Sequence, residues 1–76
     1  MKTWFITGVS TGFGRALAQA AIAQGDKVAG TLRNEAQRAE FAALAKGQSF
    51  GYILDVRDDA AIPGVMAQVE REVGPI

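Results

Sequence analysis

The chain has 76 residues, 49% of them apolar and 21% charged, with eight lysines and arginines against eight aspartates and glutamates. That composition is globular, not disordered, and the neutral balance lacks the basic field that nucleic acid or an anionic membrane surface requires. Without a cysteine or a histidine there is no disulfide or thiolate metal site, and zinc binding or proton shuttling loses its commonest residue.

Met1 and Lys2 lead directly into Thr3, Trp4, Phe5 and Ile6, with no hydrophobic signal region or small-residue cleavage site, and no apolar run nears the ~20 residues of a membrane span. The expected setting is cytoplasmic, with neither membrane nor nucleic acid as a partner. Residues 2–7 read as a first β-strand. It is followed by a helix over Gly12 to Gln24, in which Phe13, Leu17, Ala20 and Ala21 fall on one face and Gly25 provides a left-handed stop.

A second strand is expected over residues 26–32. The next helix is signalled by Asn34, placed to cap the amide of Gln37, and by Glu35 at the positive end of the dipole. Lys46 would complement its carboxyl end, Gly47 would terminate it, and Phe41, Leu44 and Ala45 would face inward. A third strand follows over residues 49–55. Ile62, Val65, Met66, Val69 and Val73 then recur at steps of three and four up to Gly74 and Pro75, which predicts a third helix. Pro63 and Gly64 would cost roughly 3 and 1 kcal/mol in a helix interior, so this helix is expected to start near Pro63, with Asp58 and Asp59 in the approach.

The alternation of strands and helices predicts an α/β fold, a partial Rossmann arrangement (βαβαβα) in three layers with a parallel sheet of strand order 3-2-1. Right-handed crossovers would put the first two helices on one face and the third on the other. The outer edge of the first strand would be unpaired. In a doubly wound sheet a fourth strand beyond residue 76 would occupy it; unpaired, it is a place for association, a homo-oligomer included, or for failure to fold.

The chemistry rests on Thr7, Gly8, Val9, Ser10, Thr11, Gly12, Phe13 and Gly14, a TGxxxGxG sequence between the first strand and the first helix. Its glycines suit a tight exit from the strand, approach of a pyrophosphate to bare backbone, and close packing of helix on strand. The helix N-terminus adds unpaired amides and a positive dipole end. A glycine pattern alone is weak, but here it has a strand before it, a helix after it and a βαβ unit of about 30 residues around it.

With three residues between the first two glycines and one between the last two, the motif resembles that of the classical short-chain dehydrogenases/reductases. The resemblance continues through Arg15, Ala16, Leu17 and Ala18, through Leu54, Asp55 and Val56, and to Gly74, Pro75 and Ile76, so it covers the whole chain. It implies residues 1–76 as the N-terminal part of an NAD(P)-binding domain that stops before the fourth strand. It also implies an oxidoreductase that moves hydride between the cofactor and a small-molecule carbonyl or alcohol.

The end of the second strand bears on the cofactor. NAD-preferring enzymes place a carboxylate about 20 residues beyond the glycines for the ribose 2′-hydroxyl, whereas an arginine accommodates a 2′-phosphate. Here Leu32 and Arg33 stand there, so NADP is favoured over NAD, although an arginine at such a site can also be a solvated loop charge. Ser10 and Thr11 offer hydroxyls either to the cofactor phosphates or to the turn itself. Arg15 could reach the phosphates but reads more simply as an exposed first-turn side chain. The resemblance implies that Asp55, with the backbone amide of Val56, contacts the adenine; capping of the next turn is the other reading of Asp55. The cofactor set is thus Gly8, Ser10, Thr11, Gly12, Phe13, Gly14, Arg33, Asp55 and Val56.

The family's catalytic serine, its YxxxK pair and its NNAG strand have no counterpart here. Tyr52 sits mid-strand between Phe50 and Leu54 and has no lysine four residues on, so no residue is given a catalytic role. The other readings are a non-catalytic module that binds or senses NADP(H), and a fragment without independent function.

Overall fold

A computed structural model describes residues 2–10, 12–55 and 57–76. Three strands, β1 (Thr3–Ile6), β2 (Lys27–Leu32) and β3 (Ser49–Ile53), form one parallel sheet in spatial order β1-β2-β3. Helix α1 (Gly12–Ala23) connects the first pair and α2 (Glu35–Leu44) the second. A single 3₁₀ turn at Asp59–Ala61 then leads into α3 (Ile62–Glu72). The sheet order, the parallel pairing and the intervening helices are as expected from the sequence.

Alternation along the strands builds two separate cores. Ile6, Val28 and Leu32 join Val9, Ala18, Ala21 and Phe41 on the face covered by α1 and α2, with Trp4, Leu17 and Ile22 at its margin. Ala29 and Tyr52 meet Val69 of α3 and Val73 just after it on the other face, flanked by Phe5, Phe50 and Val65. This is the arrangement expected of two right-handed crossovers running in the same direction along the sheet. Helix α2 lies close on the sheet because β2 and β3 carry glycines beneath it. A Cβ on Gly30 would fall 2.5 Å from a Val9 methyl and 3.0 Å from the Phe41 ring, and one on Gly51 would fall 2.7 Å from the Arg38 carbonyl oxygen.

The stop after α1 is as the sequence foretold. Gly25 lies at φ 88°, its N–H donates to the Ile22 carbonyl at 2.9 Å, and the Asp26 N–H donates to the Ala21 carbonyl at 3.1 Å, the paired bonds of a Schellman cap. Asn34 accepts from the Gln37 N–H at 2.9 Å and starts α2. Pro63 falls in the first turn of α3, where its missing N–H costs nothing.

Three expectations need correction. Phe13 is 82% exposed and Ala20 is also exposed; the inward stripe of α1 is Leu17, Ala18 and Ala21. Position 13 lies in the first turn of α1, one turn ahead of Leu17, the first residue of that helix to reach the core. Helix α2 ends at Leu44, before Lys46 and Gly47, and Leu44 is 41% exposed. The cause is Ser49, whose hydroxyl donates toward the Ala42 and Ala45 carbonyls (3.2 and 3.0 Å) and accepts from the Ala45 N–H at 3.0 Å. These bonds satisfy the last-turn groups from the start of β3, and Gly47, at φ 83°, serves the turn that follows. The strands are also shorter than expected, because Lys2, Thr7, Asp26, Leu54 and Asp55 flank the ladder without belonging to it.

Asp26 is buried where β1 and β2 begin. Its carboxylate accepts from the Lys2 N–H at 2.9 Å and from the Trp4 indole N–H at 3.1 Å. These two bonds, the Lys2 amide first, hold its pKa below the ordinary 3.8 despite the burial. A carboxylate depressed in the folded state contributes stability above its unfolded pKa, and that contribution is lost as pH falls toward the folded one. Urea titrations should therefore show a midpoint that falls as pH drops below about 4, and Asp26→Asn should lower the neutral-pH midpoint and flatten that dependence. An unchanged pH profile in Asp26→Asn would contradict this role.

Candidate functional site

The carboxyl ends of all three strands lie side by side, and single backbone bonds tie the chain just beyond them. The Val9 N–H donates to the Thr31 carbonyl at 3.2 Å and the Leu54 N–H to the Leu32 carbonyl at 2.9 Å. Beyond this line lies a groove of about 420 Å³ lined by Gly8, Ser10, Thr31, Leu32, Arg33, Gln37 and Leu54. Open α/β sheets bind ligands at such a carboxyl edge.

The loop from β1 to α1 is held from below. The Gly8 N–H donates to the Thr31 hydroxyl at 3.0 Å, and Val9 is fully buried under the loop. Gly8 and Gly12 sit at φ 68° and 66°, a backbone region closed to most side chains, and an added Cβ on either would meet nothing within 4 Å. The space above both peptides is therefore open. Gly14 has the opposite reason for being glycine: a Cβ there would collide with the Gly8 carbonyl oxygen. The three glycines thus divide their work into two turns and one close approach.

Of the residues singled out from sequence, Gly8, Ser10 and Arg33 line the one groove, and Gly12, Phe13 and Gly14 form the first turn of α1. Asp55 follows groove-lining Leu54, near enough to Arg33 for that charge to act on its carboxyl. Thr11 and Val56 lie outside the described residues.

The arginines are used unequally. Arg15, expected as an exposed side chain, is half-buried and pairs with Glu40 of α2 at 3.5 Å, and Arg38 pairs with Glu35 on its own helix. Arg57 pairs with Asp55 at 2.8 Å. Among the described residues Arg33 makes no ion pair, and its exposed side chain borders the groove. Asp55 accepts from the Arg57 side chain and from its backbone N–H, and these bonds hold its carboxyl well below the usual carboxylate range. The turn-capping contact considered for Asp55 is therefore present.

Sequence reasoning missed Thr31, Gln37 and Arg57. Thr31 is an ordinary strand residue until its hydroxyl is seen under Gly8. Gln37 accepts from the Arg33 N–H at 3.4 Å, and only its spacing after Arg33, one helical turn, hinted at this. Arg57 stands two residues after an aspartate, the spacing of an Asx turn, and that signal was available.

A family model described as short chain dehydrogenase matches residues 2–76. The chain is 36% identical over 78 residues to 2,3-dihydro-2,3-dihydroxybenzoate dehydrogenase of Bacillus subtilis, a match that takes in 99% of this chain and 30% of that protein. It is 33% identical over 75 residues to the 3-oxoacyl-(acyl-carrier-protein) reductase of Escherichia coli, covering 99% of this chain and 31% of that one. Among solved structures it superposes on a short-chain dehydrogenase from Streptomyces avermitilis with a TM-score of 0.88 and 40% identity, over 99% of this chain and 28% of the other. The closed form of a serine dehydrogenase complexed with NADP+ matches with a TM-score of 0.84 and 31% identity, over 97% and 30% of the two chains. The chain spans about 30% of the length of the curated relatives it matches. A family model that runs from the second residue to the last, on a sheet and glycine loop of this geometry, means that the chain belongs to the short-chain dehydrogenase family.

Proposed function

We propose that this chain is the N-terminal, dinucleotide-binding part of an NADP-dependent oxidoreductase that reduces a carbonyl or oxidises an alcohol. The observation that carries the reading is the groove at the sheet's carboxyl edge, where the open glycine loop faces an arginine that makes no ion pair among the described residues. The family binds NAD(P), and one similar structure, 31% identical, is a complex with NADP+.

The residues present fit such a cofactor. Open space above Gly8 and Gly12 admits a pyrophosphate to bare backbone, and the N-terminus of α1 supplies unpaired amides and a positive dipole end. Ser10, at the groove wall, has a hydroxyl able to donate to a phosphate oxygen, and Thr11 is assigned the same task. Phe13, exposed in the first turn of α1, is assigned to the cofactor through its place in the glycine motif. The 2′-phosphate falls to Arg33, whose planar fork suits a phosphate and whose neighbour Leu32 offers no carboxylate to repel it. Asp55 and the amide of Val56 would take the adenine. Bound NADP(H) supplies the hydride; the residues described here bind and orient it.

Two measurements test this reading in a full-length protein carrying the chain. Calorimetry should give NADPH at least about tenfold tighter than NADH, and Arg33→Ala should remove most of that difference, as loss of a charge-assisted phosphate contact of about 1.5–3 kcal/mol requires. Equal affinities in the unmodified protein would refute the NADP assignment. Gly14→Ala should weaken both cofactors by about tenfold or more, because the first turn of α1 must lift off Gly8. Unaltered binding in that variant would show that the loop does not carry the phosphate.

A further inference from the structure

The loop after β3 holds an arrangement that the glycine motif does not require. Asp55 opens a turn closed by the Asp58 N–H donating to the Asp55 carbonyl at 2.8 Å. Within that turn Arg57 reaches back to the same carboxylate with three separate donors. Its backbone N–H lies 3.0 Å from Oδ1. Its Nε lies 3.1 Å from Oδ1 and 3.3 Å from Oδ2, and its Nη2 lies 2.8 Å from Oδ2.

A carboxylate at the end of a strand ordinarily turns about a soft terminal torsion. Here a fork that spans both oxygens, together with a backbone amide on one of them, fixes the plane of the group. An ionised carboxylate offers roughly four acceptor sites; two on Oδ1 and one on Oδ2 are taken, and the fourth, on Oδ2, meets only the longest contact, at 3.3 Å, from an Nε that Oδ1 already shares. The Asp55 side chain is 43% exposed, so the remaining site is open to an incoming donor. The Arg57 side chain, 80% exposed, has no core role that would explain its placement.

We propose that Arg57 is a positioning residue for base recognition: it holds the Asp55 carboxylate in one orientation, with a single acceptor site left for the exocyclic amine of adenine. This rests on the assignment of Asp55 to the adenine in the reading above. It adds that selectivity for an amine over a carbonyl at that position of the base depends on a residue that itself does not touch the base.

The test uses the full-length protein carrying this chain and two probes, NADPH and its hypoxanthine analogue, in which a carbonyl replaces the exocyclic amine. Calorimetric affinities are compared for the unmodified protein, Arg57→Ala and Asp55→Ala. The unmodified protein should favour adenine by about tenfold, and Arg57→Ala should cut that preference about fivefold, toward the value in Asp55→Ala, with the NADPH-to-NADH ratio unchanged. Equal weakening of both probes in Arg57→Ala would mean a merely structural role and overturn the proposal. So would a fall in the NADPH-to-NADH ratio with base preference intact, which would make Arg57 a phosphate ligand. Absence of base preference in the unmodified protein would overturn it by removing Asp55 from the adenine, whereas the Arg33→Ala comparison reports on the dinucleotide site independently.

Discussion

The Gly8 carbonyl lies directly under the first turn of α1, and the rest of the site is arranged around that contact. Because Gly14 has no side chain, the helix can start at the very end of β1, with its unpaired amides and positive end at the sheet's carboxyl edge. The loop between is held from the neighbouring strand, by the Thr31 hydroxyl on the Gly8 N–H and the Thr31 carbonyl on the Val9 N–H. β2 therefore does more than pair with β1. It sets the height of the glycine loop, and Arg33 at its end is delivered to the same groove by the same strand.

The packing follows from the same economy of volume. Val9 turns down from the glycine loop and fills the space over Gly30, while the Phe41 ring closes on Gly30 from α2. One missing Cβ in β2 thus lets the loop and the second helix meet in a single core, with ordinary close packing in place of a cavity. The opposite face depends on α3 alone. There the Tyr52 hydroxyl donates to Glu72 at 2.9 Å, and the burial that pushes the phenol up to about 12 makes it a neutral structural tie. This environment is the reverse of what a catalytic phenol needs, since one acting as an acid or base works best with a pKa brought toward the working pH.

Charge is apportioned so that the groove keeps one unengaged cation among the described residues. Arg15 and Arg38 are drawn to glutamates on α2, and Arg57 is drawn to Asp55. Exposed pairs of this kind add little to stability, so their consequence here is placement. They leave Arg33 with an uncommitted guanidinium at the groove beside the glycine loop, and they leave Asp55 ionised and oriented.

The sequence alone determined the element order, the strand order and the face on which each helix lies, since these follow from alternation, crossover handedness and local caps such as Asn34 and Gly25. It also determined the glycine loop, whose residues are adjacent in the chain and whose chemistry is local. Tertiary structure decided what depends on neighbours distant in sequence. Ser49 ends α2 at Leu44 by reaching back to its last carbonyls, which no reading of Lys46 and Gly47 could have revealed. Phe13 is exposed in the first turn of α1, ahead of the core that begins at Leu17, although its helical spacing matches the buried stripe. Thr31 beneath Gly8 and Asp26 between Lys2 and Trp4 are likewise visible only once strands more than 20 residues apart are laid side by side. Periodicity reports which way a side chain points along its own element, and only the assembled fold determines what, if anything, it meets there.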